Sequence, residues 1–190
     1  LLFGQGSVVV QVLTPVSIAD SYDNAFASAA NSWGVADLTI PANAVQGPLM
    51  IGLDGTEADS LGCEPLVNDL TGQIAVIYRG TCGFSTKALN AQNAGAIGVL
   101  LISNADNLAI TMQGGTVGLD VTIPVAMISM SSGAIIRPVL DAEEVTAFIG
   151  NNFGAFPNNM NIDVEDVLVP AATSVPPLIV QPEVTPTSVW

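Results

Sequence analysis

The sequence predicts a β-rich α/β domain that ends in an extended arm, and three observations carry that prediction. Residues 73–103 read as strand, turn, helix and strand in immediate succession, the pattern of a βαβ unit with a right-handed crossover. Elsewhere the apolar residues fall in short, β-branched runs bounded by glycine, proline and asparagine, which is the punctuation of strands and turns. Half of the twelve prolines lie beyond residue 150, where they rule out a helix and leave an extended segment.

Taken in order, SVVVQVL (7–13) is a strand stopped by Pro15. Residues 17–34 are small and polar, a loop with one helical turn near 25–30. DLTIP (37–41) and LMIGL (49–53) read as short strands separated by the turn material NAVQGP (43–48), and DGTEADSLG (54–62) as an acidic loop. QIAVIYRG (73–80) is a strand and CGFS (82–85) a turn, with Ser85 placed to cap the helix TKALNAQNA (86–94). Ala88, Ala91 and Ala94 with Leu89 give that helix a small-residue face that can lie close on a sheet, and Gly95 supplies the left-handed residue that stops it. AIGVLLIS (96–103) follows as a buried strand. A similar passage comes later: strand TIPVAMIS (122–129), helix SSGAIIRPVLD (131–141) and strand VTAFIG (145–150). Its helix is capped by Ser129 or Ser131 and kinked or shortened by Pro138. The connection NADNLAITMQGGTVGLDV (104–121) reads as a flexible, glycine-rich polar loop. The expected organisation is an N-terminal section, 1–47, that completes the domain, a core at 48–150, and an acidic segment with the arm at 151–190.

Composition narrows the function. Hydrophobic residues make up 49% of the chain, yet no apolar run approaches the roughly 18 residues of a membrane span. Seventeen acidic residues face only Arg79, Lys87 and Arg137, a formal net charge of −14. Nucleic acids and anionic membrane surfaces are disfavoured partners, because both are bound by neutralising phosphates with Lys and Arg. Strong acidity with little lysine suits an extracellular setting, where mutual repulsion keeps an apolar surface soluble.

The absence of histidine excludes Ser-His-Asp and Cys-His catalysis and histidine-ligated metal sites. Ser85 and Lys87 form the one available Ser-Lys combination, but two residues apart on a helix they do not face each other. Carboxylates occur together at Glu143 and Glu144 and at Asp163, Glu165 and Asp166, without aromatic residues to wall a cleft around them. Asp54, Glu57 and Asp59 are candidate Ca²⁺ ligands, but they lack EF-hand spacing and read better as a solvated loop. Gly114, Gly115 and Gly118 do not open a helix and make no phosphate loop. No cofactor is expected. Cys63 and Cys82 permit one disulfide; in a reducing compartment they would instead be two small thiols, and the secreted-type composition favours the bridge.

One set of residues goes further. Cys63-Glu-Pro-Leu, the Gly72-x-Ile-Ala-Val strand, Arg79-Gly80-x-Cys82-x-Phe84, Lys87, Asn90-Ala91, Gly95-Ala96, Ile123-Pro124 and Gly133 stand in an order and spacing that resemble the protease-associated (PA) domain. The resemblance covers roughly residues 48–150 and implies a partly open barrel or sandwich flanked by short helices, a Cys63–Cys82 bridge and no catalytic residues of its own. On this reading Arg79, Gly80, Phe84, Lys87, Asn90, Ala91, Gly95 and Pro124 are scaffold, with ligand binding by Arg79, Lys87 and Asn90 as the alternative. Phe84 and Leu89 anchor the helix, and Arg79 and Lys87 pair with local carboxylates.

The arm points to a role in assembly. Val169, Val175, Leu178, Ile179, Val180, Val184, Val189 and Trp190 alternate with prolines that pre-extend the chain, which suits docking along a sheet edge or in a groove. Thr173, Ser174, Thr185, Thr187 and Ser188 beside those prolines are candidate O-glycosylation acceptors. The leading expectation is a non-catalytic extracellular subunit that binds copies of itself through the arm, up to a filament. The alternative is an accessory domain of a larger secreted protease, in which the partners are neighbouring domains.

Overall fold

The computed structural model describes residues 7–57, 60–105 and 110–152. The described residues build one eight-stranded mixed sheet with two α-helices. The strands are β1 (Val8–Thr14), β2 (Asp20–Tyr22), β3 (Ala25–Phe26), β4 (Val45–Ile51), β5 (Ile74–Tyr78), β6 (Gly98–Ile102), β7 (Val125–Ile128) and β8 (Thr146–Asn151). Helix α1 (Phe84–Asn93) lies between β5 and β6, and α2 (Met130–Leu140) between β7 and β8. The spatial order is β2-β1-β8-β4-β5-β6-β7-β3. Strands β4 to β7 run parallel, β8 runs antiparallel to both β4 and β1, and β2 and β3 are antiparallel edges.

The central strands read as unbroken apolar runs because both of their faces are covered. Ala75, Ile77, Val99, Leu101, Val125 and Met127 pack with Ala88 and Ala91 of α1. Their neighbours Ile74, Val76, Leu100, Ile102, Ala126 and Ile128 pack on the other side with Ile136 of α2 and with β1 and β8. Burying each large aliphatic side chain is worth about 1.5–3 kcal/mol, so these two layers dominate the stability. The approach of α2 depends on Gly133, where a Cβ would lie 2.3 Å from Cγ2 of Ile102.

Four expectations are corrected. The later strand–helix–strand passage is not a second βαβ unit, because β8 leaves β7 and inserts antiparallel between β1 and β4. DLTIP is a turn and not a strand: the Asp37 carboxylate accepts from the Thr39 amide at 2.9 Å and hydroxyl at 2.7 Å, and such local bonds compete with strand pairing. The expected turn at 43–48 instead opens β4, and Pro48 is tolerated where the strand changes partner from β8 to β5. Residues 17–34 also hold more structure than a loop, since β2 and β3 fall there. Only Asp23 and Asn24 separate them, although they form opposite ends of the sheet. The sheet therefore curls until its edges are a two-residue link apart, yet β2 and β3 do not pair and the sheet stays open.

Asp23 also fixes α2. Its carboxylate accepts from the Ser129 amide at 3.1 Å and hydroxyl at 2.8 Å, and from the Ser132 hydroxyl. Ser129 is the cap, as expected, with its Oγ accepting from the Ser132 amide at 3.2 Å. Pro138 sits in the last turn of an eleven-residue helix.

Candidate functional site

The motif residues gather where β5 turns into α1. After Tyr78 the chain passes through Gly80 (φ 143°) and Thr81 (φ 63°), and the Cys82 amide donates to the Gly80 carbonyl at 2.8 Å. That tight reversal carries Cys82 to Cys63, and the two form a disulfide with Cα atoms 5.7 Å apart. Gly83 is the helix cap and no side chain caps this end; the helix begins at Phe84, which puts Ser85 inside the first turn and corrects its expected role. Phe84 and Leu89 are partly buried against the α1-side core. At the other end Gly95 (φ 90°) stops the helix, as its sequence position predicts.

Helix α1 then grips the loop that precedes β5. Lys87 is fully buried, and its Nζ donates to the Leu61 carbonyl and lies 3.5 Å from Cys63 Sγ. Burial lowers the pKa of Lys87 from the ordinary lysine value to about 8, against the opposing charge of Asp54. One turn on, Asn90 Nδ2 donates to the Gly62 and Glu64 carbonyls at 3.0 Å each. Asp54 closes the loop from within. Its carboxylate accepts from the Thr56 hydroxyl at 2.7 Å and from the Cys63 amide at 2.9 Å. Burial pushes the Asp54 pKa up, but hydrogen bonds from Thr56, Cys63 and Glu64 outweigh it and hold the carboxyl below its ordinary value.

One expectation changes here. Lys87 is an internal residue bonded to a carbonyl and a sulfur, and it makes no surface ion pair. Among the described residues Arg79 lies 6.0 Å from the Phe84 ring centroid, and its Nη1 donates to Ser103 Oγ at 3.5 Å; Asp59 and Asp106, nearby carboxylates in sequence, lie outside the described residues. Ser85 is also buried, but the Lys87 Nζ is bonded to the Leu61 carbonyl and makes no nucleophile–base pair with it. Ala91 packs in the core, and the Pro124 carbonyl accepts from the Val99 amide at 2.8 Å at the entry to β7.

Among the described residues the carboxylate candidates do not converge. Asp54 is spent on loop hydrogen bonds, and Glu143 and Glu144 are exposed. Among the described residues no group of three His, Cys, Asp or Glu side chains is placed to hold a metal ion, and no helix is long and apolar enough to cross a membrane. Asp59, Asp163, Glu165, Asp166, the arm and its glycosylation candidates lie outside the described residues.

Sequence reasoning missed two features. Trp33, in a stretch read as loop, is buried, and its Nε1 donates to the Met112 carbonyl at 2.9 Å. This pins the 110–121 connection, which was expected to be flexible. The available signal was a lone tryptophan followed by glycine in otherwise small, polar sequence. The second feature is a cleft of about 730 Å³ beside β5, lined by Tyr78, Arg79 and Arg137 with Ile51, Leu53 and Leu61. The scarcity of cations was visible beforehand; the meeting of two of the three was not.

Comparison with known proteins places this arrangement. The family model described as the PA domain matches residues 35–136. The chain is 32% identical over 109 residues to signal peptide peptidase-like 2 of Arabidopsis thaliana, covering 56% of this chain and 19% of that protein. It is 38% identical over 92 residues to probable leucine aminopeptidase 2 of Aspergillus fumigatus, covering 47% of this chain and 18% of that protein. Its fold is similar to part of a zinc aminopeptidase from Bacillus subtilis, with a TM-score of 0.50 and 24% identity, over 76% of this chain and 33% of that one. The chain thus spans less than a fifth of the length of these two curated relatives.

Proposed function

The chain belongs to the PA domain family, and from that premise we propose that it is a non-catalytic accessory domain of a larger secreted or lumenal peptidase. In that role it shapes how substrate or a neighbouring domain meets the catalytic unit. The observation that carries the reading is the partial match: the similar proteins named as peptidases are several times longer, and this chain corresponds to one section of each. The site geometry supports it, because the motif side chains are consumed in holding a loop on a helix. The lack of histidine supports it too, since no histidine-dependent triad or metal centre can be assembled from this chain alone.

The self-assembling subunit has weaker support, because it rests on the composition of the arm. Two measurements separate the readings. The native polypeptide isolated from its source should have an intact mass far above 19.4 kDa and yield peptides from a peptidase domain. The isolated chain should not hydrolyse aminoacyl-p-nitroanilides. A native protein of 19.4 kDa that sediments as an oligomer would return the argument to self-assembly.

A further inference from the structure

We propose that the cleft beside β5 is a binding site for a carboxylate presented on an extended peptide, held between Arg79 and Arg137. The inference does not depend on which catalytic domain, if any, adjoins the chain. Its basis is the distribution of charge. The chain has three basic residues against seventeen acidic ones, and one of the three, Lys87, is fully buried. The other two line a single cleft of about 730 Å³, although they lie 58 residues apart on β5's exit and on α2.

Both guanidinium groups retain donors for a ligand. Arg137 Nη1 is buried and pairs with Asp141 one turn further along α2, so the donors left for a ligand are those of Nη2 and Nε. Arg79 is bonded to Ser103 Oγ at 3.5 Å, the outer limit for such a contact, and rests near the Phe84 ring, which orients it without neutralising it. Tyr78 lines the same cleft beside the two arginines. Ile51, Leu53 and Leu61 supply apolar wall beside the two cations, and partial exclusion of water strengthens a charge-assisted hydrogen bond.

The chemistry selects the ligand. Two arginines beside an apolar wall match the planar, two-oxygen geometry of a carboxylate, and a volume of about 730 Å³ leaves room for flanking residues of a peptide. Glu57 also lines the cleft, and it and the net charge of −14 penalise an anion in proportion to its charge, so a singly charged carboxylate is disfavoured less than a phosphate dianion. The carboxylate can be an Asp or Glu side chain or the terminus of a peptide; the two share one recognition chemistry and are separated by the test.

The test measures the anisotropy of fluorescein-labelled peptides titrated with the full chain. One pair is Gly-Leu-Glu-Leu-Gly-amide and its Gln counterpart, and the other is Gly-Leu-Leu-Gly with a free and with an amidated terminus. At least one acid form should bind about tenfold more tightly than its amide, the scale of one added charge-assisted bond. A preference in the first pair assigns a side-chain carboxylate, and one in the second pair a terminal carboxylate. The preference should vanish in Arg137→Gln and in Arg79→Gln, each checked for an unchanged melting profile. Equal binding of acid and amide in both pairs overturns the proposal on the unaltered chain, independently of whether the variants fold. An acid preference that persists in both variants overturns it as well.

Discussion

Two loops lie against the same helix and are held by different physics. The 54–64 loop is fastened to α1 by a buried ammonium, an amide and a disulfide: Lys87 to Leu61, Asn90 to Gly62 and Glu64, and Cys82 to Cys63. The 110–123 connection is held by burial together with backbone bonds: the Gly114 amide donates to the Asn31 carbonyl at 2.8 Å, and the Gly34 amide donates to the Gly118 carbonyl at 2.9 Å. Met112 and Val121 are fully covered, and Trp33 closes over the connection with a single bond to the Met112 carbonyl. Gln92 of α1 adds exposed contacts to it, accepting from the Thr122 amide at 2.7 Å and donating to the Asp120 carbonyl at 3.0 Å. The first loop should respond to redox state and pH, and the second to the loss of apolar volume. The proposed carboxylate cleft borders the first loop, so its shape is tied to the polar fastening.

The largest expected effect comes from the second loop. Trp33→Ala removes a buried indole and should cost about 3–5 kcal/mol, equally in the presence and absence of reductant, by chemical denaturation. A cost that depended on the disulfide would mean that the two loops are coupled. Asn90→Ala is next: it leaves the Gly62 and Glu64 carbonyls without their amide donor and should cost about 2 kcal/mol. Destabilisation by Asn90→Ala should be confined to the first loop, with hydrogen exchange at 110–121 unchanged.

The smallest effect is a pH slope. The folded pKa of Lys87, about 8, lies below its ordinary value of 10.5, so above pH 8 the unfolded chain binds more protons than the folded one. Stability must then rise with pH, by about 1 kcal/mol between pH 7.5 and pH 9. Lys87→Met should abolish that rise. Asp54 adds a rise of the same sign at acid pH. Its folded pKa is lowered, so its contribution is present above the ordinary aspartate range and is lost as pH falls through the folded value.

What could be read from the sequence was local. The βαβ passage rests on adjacent residues, as do the Ser129 cap and the Gly95 stop, and each appears where its chemistry predicts. The parts that could not be read depend on distant partners. Nothing around Lys87 announces burial, because the carbonyl that accepts its proton lies 26 residues upstream. The β3 edge is two residues long and exists only because β7 offers it a partner. Arg79 and Arg137 become neighbours of one cleft only after α2 has packed against β6 through Gly133. DLTIP failed for a local reason that was visible: an aspartate two residues before a threonine offers the backbone a turn.

The central claim is that the motif residues are fastenings for the 54–64 loop, and reduction of the disulfide tests it most directly. Hydrogen exchange should be followed by mass spectrometry on native protein with and without a non-thiol reductant, at a temperature where both forms stay folded. Opening the Cys63–Cys82 bridge removes about 3 kcal/mol of constraint, so peptides spanning 60–66 should exchange markedly faster after reduction. Peptides spanning 110–121 should exchange at their original rate. Equal acceleration of both loops, or no change in either, would contradict the account.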